Sequence, residues 1–539
     1  MTVGWVERVR GEVQRRGEST SVDRALRWQL ALVLIALTAF AGLAYQVSRR
    51  VGFRWDLYVW SESPFMTNML KLSAGLPLYG PPSDANSFIY SPGLEYLTYA
   101  LLRPLGLELD VRFCRAVTVA IGLITCFSAG ALGSRLLSLL GSGARARQVF
   151  LFFAAALCAL VVGKNFTADV CHPDNLIAGH VVFSLLLCQR AAASRSLRSA
   201  VIAVGFASLA VLAKQTGIAA GVCALVGLLL ARPELRKPAP LLGLVAVTLG
   251  ATALALLPLV WSHDARFWTF GIMAQHFIDI AKYEQLVRQD VLGVPHRAIL
   301  WTLAPFAATA LLLHPDAGPR RFALVWLPFG VGLIPALAAY LKHMGAWNNL
   351  MLIDVWAALG VLPVVWNRAD AALETEPRRA AAPLAALLLL IATLLPTRVP
   401  PTAGHWAFGR ELERQIGAAC ARGERVLLGH GTMALIRAGC PRIPLDRVNS
   451  LLELANYDVA PPPPALERIR THFYDRIFFN VPEWSGGVGT AIRAHYRRES
   501  SIAAAADQPG SKGRERLDWH FGYQFGQLDG AVEILVPQN

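Results

Sequence analysis

Apolar runs of about 16–25 residues recur through roughly the first 400 positions, separated by short polar turns, the spacing expected of membrane-crossing helices. The first covers Trp28–Val47. Others follow at Phe113–Leu140, Val149–Gly163, Leu176–Cys188, Ala200–Ala213, Ile218–Leu230, Pro240–Trp261, Ala298–Leu313, Phe322–Tyr340, Leu350–Val365 and Leu384–Leu395. Stretches such as Leu241–Val260 are apolar on every face, as a lipid-facing helix must be. The pattern predicts a polytopic α-helical membrane protein with about eleven transmembrane helices, several of them shorter than the ~20 residues a span normally needs.

The polar turns carry an orientation signal. Arg8, Arg10, Arg15, Arg16, Arg24 and Arg27 precede the first run, and every second turn thereafter carries Arg or Lys, as in Arg145 and Arg147, Arg190 and Arg198, Arg320 and Arg321, and Arg368, Arg378 and Arg379. This places a tail over residues 1–27 in the cytoplasm and the two long loops, 47–112 and 262–296, outside, in a plasma (inner) membrane. No cleavable leader is expected, because the basic N-terminal stretch leads directly into a run of full spanning length.

After about Pro396 the pattern changes. RVLL at Arg425–Leu428, YDRIFFN at Tyr474–Asn480 and AVEILV at Ala531–Val536 read as strands, RVLLGHGTMALIRAG as strand, turn and helix, and Ala503–Glu515 as a flexible insertion. The expected organisation is a tail over 1–27, a membrane domain over 28–397 and an extracytoplasmic α/β domain over 398–539.

Composition agrees with the pattern. At 539 residues, 54% hydrophobic and 16% charged, the chain is too apolar for an ordinary soluble enzyme. The net charge of +14 is distributed among short turns rather than along a groove, which argues against nucleic acid as a partner. The eight cysteines have no metal-ligand spacing. Cys420 and Cys440 could form a bridge in an oxidising compartment.

Candidate chemistry gathers at one membrane face. Asp56 and Glu62 lie in the first outside loop, Asp174 opens the fourth span, Lys214 closes the fifth, His276 lies in the loop over 262–296, and Lys342, Asn348 and Asn349 precede the tenth span. Ionisable groups at membrane depth are costly and usually face a cavity or one another. Cations would hold a phosphate, and a carboxylate would accept a proton from a hydroxyl nucleophile. The simpler alternatives are that Asp56, Glu62 and Asp174 only cap helices and that Lys214 only marks a helix end at the interface.

The first outside loop runs SESPF, LKLSAGLPLYG and FIYSPGLEYLTYALLRPLG, and is followed by HPDNLIAGHVVFSLLL, LAKQTG and AWNNLMLIDVWAALG. In order and placement over roughly residues 28–400, this resembles the GT-C superfamily of polytopic membrane glycosyltransferases, which includes protein O-mannosyltransferases and aminoarabinose transferases acting on lipid A. The resemblance implies a catalytic base at Glu62, with Asp56 as the alternative, and a second acid at Asp174. It also implies a phosphate contact at Lys214, a cavity lined by Asn348 or Asn349, and Tyr79 and Tyr90 of the LPLYG and FIYSP segments beside the substrate. The implied reaction moves a sugar, with inversion, from a polyprenyl-phosphate donor to a lipid, glycan or protein acceptor outside the cytoplasm. No cofactor and no obligate metal are expected, with a divalent ion near Asp56, Glu62 and Asp174 as the option left open. The competing expectation is a transporter or flippase of a lipid-linked precursor, for which no internal repeat is visible.

Overall fold

The computed structural model describes residues 3–538 apart from 58, 82–85, 166, 195, 276–277, 343–346, 397, 399, 430, 441–463, 480–485 and 503–531. The expected insertion at Ala503–Glu515 and the candidate residue His276 lie outside the described residues.

Helical segments cover each apolar run. Among the described residues seven segments are long and apolar enough to cross a membrane: Ala25–Val51, Val111–Leu139, Ala144–Lys164, Asp174–Ser194, Pro238–Val260, Ala317–Leu341 and Asn348–Leu373. The other expected spans fall on Leu197–Ala213 and Gln215–Ala231, which are shorter apolar segments, and on helices Pro295–Leu312 and Ala381–Thr393. The expected ninth span is broken. Its first helix ends at Val331 and the second starts at Ile334, because Pro335 has no N–H to continue the first helix but suits the opening turn of the second.

Helix Val111–Leu139 packs against Ala144–Lys164 and Asp174–Ser194 at the centre of the bundle. Close approach depends on small residues: a Cβ on Gly130 would lie 2.6 Å from the carbonyl oxygen of Leu151. The core includes Phe150, Phe153, Trp326 and Trp366, with the Trp326 and Trp356 rings stacked 4.5 Å apart. Outward, Leu34, Leu249, Leu254 and Phe306 are each more than 60% exposed. An apolar exterior over a fully hydrogen-bonded helical backbone is what a bilayer requires.

The segment read as a long loop is largely folded. It contains helices Val59–Ser73 and Gly93–Leu102, and Asp110 caps the next helix by accepting from Arg112 N at 2.9 Å. Beyond the last apolar helix, helix Ala403–Ala421 leads into a four-stranded sheet of β1 (Val426–Leu428), β2 (Arg476–Phe479), β3 (Tyr496–Ile502) and β4 (Val532–Pro537). The order is β1-β2-β4-β3, with β1 parallel to β2 and the other pairs antiparallel. Cys420 and Cys440 form a disulfide that ties the end of helix Ala403–Ala421 to the segment after helix Thr432–Arg437. This unit is not detached: Phe408, Leu412 and Ile416 share one apolar cluster with Phe53, Trp55 and Leu57 of the first loop.

Candidate active site

Two buried polar clusters form at the same end of the helix bundle, joined by the short segment 167–173. The first centres on Asp174, at the start of helix Asp174–Ser194. Its Oδ1 accepts from Lys214 Nζ at 2.7 Å. Its Oδ2 accepts from Asn348 Nδ2 at 2.8 Å and from Thr167 Oγ1 at 2.6 Å, and lies 2.9 Å from His172 Nδ1. Lys214 also donates to Asn349 Oδ1 at 3.0 Å and sits 5.3 Å from the centre of the Tyr90 ring. The Tyr90 ring meets that of His172 edge-on at 5.1 Å.

Local sequence explains the convergence. Pro173 stops the preceding turn and leaves Asp174 in the first helical turn, where free N–H groups favour a carboxylate. Lys214 follows helix Ala210–Ala213 in an extended conformation (φ −161°, ψ 146°), which turns its side chain away from the helix end. Asn348 and Asn349 open the segment leading into helix Met351–Thr375. Asp174 and Lys214 are only 2% and 3% exposed, so each charge is compensated by the other in a low dielectric. Burial favours the neutral His172 ring and holds its pKa below the ordinary value, outweighing Asp174, which favours the charged form.

The second cluster is the Glu62–Arg115 pair. Glu62 is fully buried, in the first turn of helix Val59–Ser73. Its Oε1 accepts from Arg115 Nε at 2.6 Å and from Cys171 N at 3.3 Å, and its Oε2 accepts from Arg115 Nη2 at 2.8 Å and from Leu57 N at 2.5 Å. Arg115 reaches on to the carbonyls of Arg50, Phe53 and Trp55. Glu62 is therefore held on both oxygens, and its pair with Arg115 fixes the backbone over 50–57. Asp56 lies within that segment, 1% exposed, and accepts from Met433 N of helix Thr432–Arg437 at 3.2 Å.

The clusters are adjacent in the chain: Cys171 N meets Glu62, while the next residue, His172, meets Asp174. Tyr79 donates to the Tyr90 carbonyl at 2.6 Å and so braces the first loop against the Asp174 cluster. Lys342 is directed elsewhere. It donates to the Met273 carbonyl at 2.5 Å, and its strand-like pairing with Ile278 fastens the loop over 262–296. Among the described residues no three His, Cys, Asp or Glu side chains gather as a metal would require, and Asp56, Glu62 and Asp174 form no such group.

Three groups carry more than the sequence reading assigned to them. Arg115 lies just inside an apolar run, a position whose cost signals a buried partner. Asp169 is held by Arg50 Nε at 2.6 Å and by Arg398 Nη1 at 2.8 Å. Glu95, in helix Gly93–Leu102, accepts from Asn68 Nδ2 at 3.1 Å, and burial pushes its carboxyl up to about 7.

No protein-family model matches the chain, and no curated protein matches it. Among solved structures the chain is similar to ArnT from Cupriavidus metallidurans. For the apo state the TM-score is 0.42 and the identity 15%, covering 84% of this chain and 93% of that one. For ArnT bound to undecaprenyl phosphate the TM-score is 0.45 and the identity 16%, covering 94% of this chain and 98% of that one.

Proposed function

We propose that the chain is a membrane glycosyltransferase that moves a sugar from a polyprenyl-phosphate donor to an acceptor outside the cytoplasm. The observation that carries this reading is the meeting of Asp174, Lys214, Asn348, Asn349 and Tyr90 in one cluster. These residues come from segments far apart in the chain and were each singled out by the family-like order of their motifs. Their cluster borders the first loop at one end of an apolar helical bundle, where a lipid-borne phosphate would arrive. Two of the three Lys214 ammonium donors are used among the described residues, leaving a donor for a phosphate oxygen.

In this reading the base is Asp56. Both Glu62 oxygens are engaged by the Arg115 guanidinium and by the N–H groups of Leu57 and Cys171, which favours Asp56 over Glu62 for this role. Glu62 and Arg115 are instead positioning residues for the backbone that carries Asp56. The acceptor hydroxyl attacks the anomeric carbon as the bond to the phosphate breaks. Asp56 takes the hydroxyl proton and the electron pair leaves on phosphate near Lys214. A single displacement of this kind inverts the anomeric carbon. The phosphate needs only charge compensation, which Lys214 supplies, so the reaction as written calls for no obligate metal.

The test uses membranes containing the full chain and a radiolabelled polyprenyl-phosphate sugar. Asp56→Asn is expected to lower transfer by about a hundred- to ten-thousand-fold with its melting temperature close to parental. Glu62→Gln is expected to lose stability first, by about 3–5 kcal/mol, because it leaves Arg115 buried without its counter-charge. Parental transfer by Asp56→Asn refutes the base. Movement of intact donor across the bilayer without sugar transfer supports a flippase instead.

A further inference from the structure

At the end of the bundle opposite the Asp174 cluster lies a partly enclosed pocket of about 430 Å³. Three helices supply its cations: Arg135 near the end of Val111–Leu139, Arg147 near the start of Ala144–Lys164, and Arg321 near the start of Ala317–Val331. Gln189 adds an amide, and Leu139 and Phe322 supply an apolar wall. No carboxylate lines it, and none of the three arginines pairs with one among the described residues. From Asp174 to Gln189 along their common helix the separation is about 22 Å, so the pocket belongs to the other membrane face.

The ordinary explanation for arginines at a helix end is solvated orienting charge. Two observations go beyond it. Arg147 Nε and Gln189 Oε1 are both buried without a hydrogen-bond partner, although Arg147 Nη1 is satisfied by Ser138 Oγ at 2.8 Å. Buried polar atoms left unpaired cost free energy, and the two side chains that carry them line a cavity large enough to hold a phosphate. The lining thus carries three cationic side chains and no acid.

We propose that this pocket binds a phosphate group, presented by an anionic lipid headgroup whose acyl chains lie along the Leu139 and Phe322 side. Arg135, Arg147 and Arg321 would compensate the charge, and Gln189 would bind a headgroup hydroxyl. The guanidinium fork suits phosphate oxygens better than an ammonium does. Basic pockets between membrane helices hold phospholipid headgroups by the same physics.

The experiment places the full chain in phosphatidylcholine nanodiscs titrated with phosphatidylglycerol and counts retained lipid by native mass spectrometry. The parent is expected to retain phosphatidylglycerol at least ten-fold better than phosphatidylcholine. Arg135→Gln/Arg147→Gln/Arg321→Gln should abolish that preference, whereas Arg236→Gln, an exposed arginine of the 233–236 turn that does not line the pocket, should preserve it. Retention by inorganic phosphate alone, lost in the triple variant, assigns the pocket to a free phosphate instead of a lipid. Equal retention of both lipids by the parent, or an unchanged preference in the triple variant, overturns the proposal. The parental comparison needs no variant to fold, and none of the arms depends on sugar transfer.

Discussion

Single residues divide the acids of the first loop by what surrounds each one. Glu62 is paired with Arg115, Asp56 lies in the segment those two hold and accepts from Met433 N, and Glu95 is buried beside Asn68 with no cation paired to it among the described residues. The last case has a measurable consequence. Burial pushes the folded Glu95 carboxyl from its ordinary value of 4.5 to about 7, against weaker opposition from its own backbone and from Asn68. The folded chain therefore binds that proton more tightly than the unfolded chain. The stabilisation is complete below 4.5 and is lost as pH rises to about 7. Melting temperature followed across this interval is expected to fall in the parent and to stay nearly level in Glu95→Gln. An equal decline in both would show that Glu95 is not the titrating group.

Among elements, the placement of Lys214 depends on how closely helix Gly93–Leu102 approaches the turn before it. A Cβ on Gly93 would lie 2.2 Å from the Leu212 carbonyl oxygen and 3.3 Å from Ala213 Cα, both rigid backbone atoms. Gly93→Ala must push the helix away from that turn. The expected cost is about 1–3 kcal/mol of stability, as in other overpacked contacts. A matching drop in melting temperature checks it, and an unchanged value would mean that the two elements separate freely. Nothing in the FIYSPGLEYLTY pattern marks this approach. The partner of Gly93 lies about 120 residues away in the chain.

For the whole molecule, one ion network fastens the chain where the helical bundle ends. Arg398 donates through its backbone N to Gln46 Oε1 at 2.8 Å, through Nε to the Gly163 carbonyl at 3.0 Å and through Nη1 to Asp169 at 2.8 Å. Asp169 also accepts from Arg50, so the first helix, the 167–173 segment and the connection to the sheet meet at one carboxylate. Burial alone would raise the Asp169 carboxyl, but Arg398 and Arg50 outweigh it and hold it below its ordinary 3.8. Its contribution to stability is present above that value and is lost as pH falls through the lower folded one. Asp169→Asn is expected to lower the melting temperature strongly at neutral pH, since two buried guanidinium groups lose their counter-charge. It should also flatten the acid side of the stability profile. If the neutral-pH melting temperature were parental, the network would not be what joins these parts.

The alternation of apolar runs and basic turns located the helices, because a segment that must satisfy its backbone in lipid has to be long, apolar and helical whatever its neighbours are. Residue type likewise marked Asp174, Lys214, Asn348 and Asn349, since polar groups at helix ends beside lipid are costly enough to stand out. The strands RVLL and RIFF were legible from apolar content beside turn residues, whereas β3, YRRESSI, is exposed over five central positions and carries little hydrophobic signal. Chain order could not say which cation engages Glu62. It is Arg115, whose guanidinium reaches Glu62 from 53 positions away. Nor could it join the two clusters through Cys171 and His172, or open a pocket among Arg135, Arg147 and Arg321, because charge pairing and cavities arise only when separate helices are brought together. Local pattern decided which segments are apolar enough to cross a membrane; three-dimensional packing decided which of their charges meet a partner.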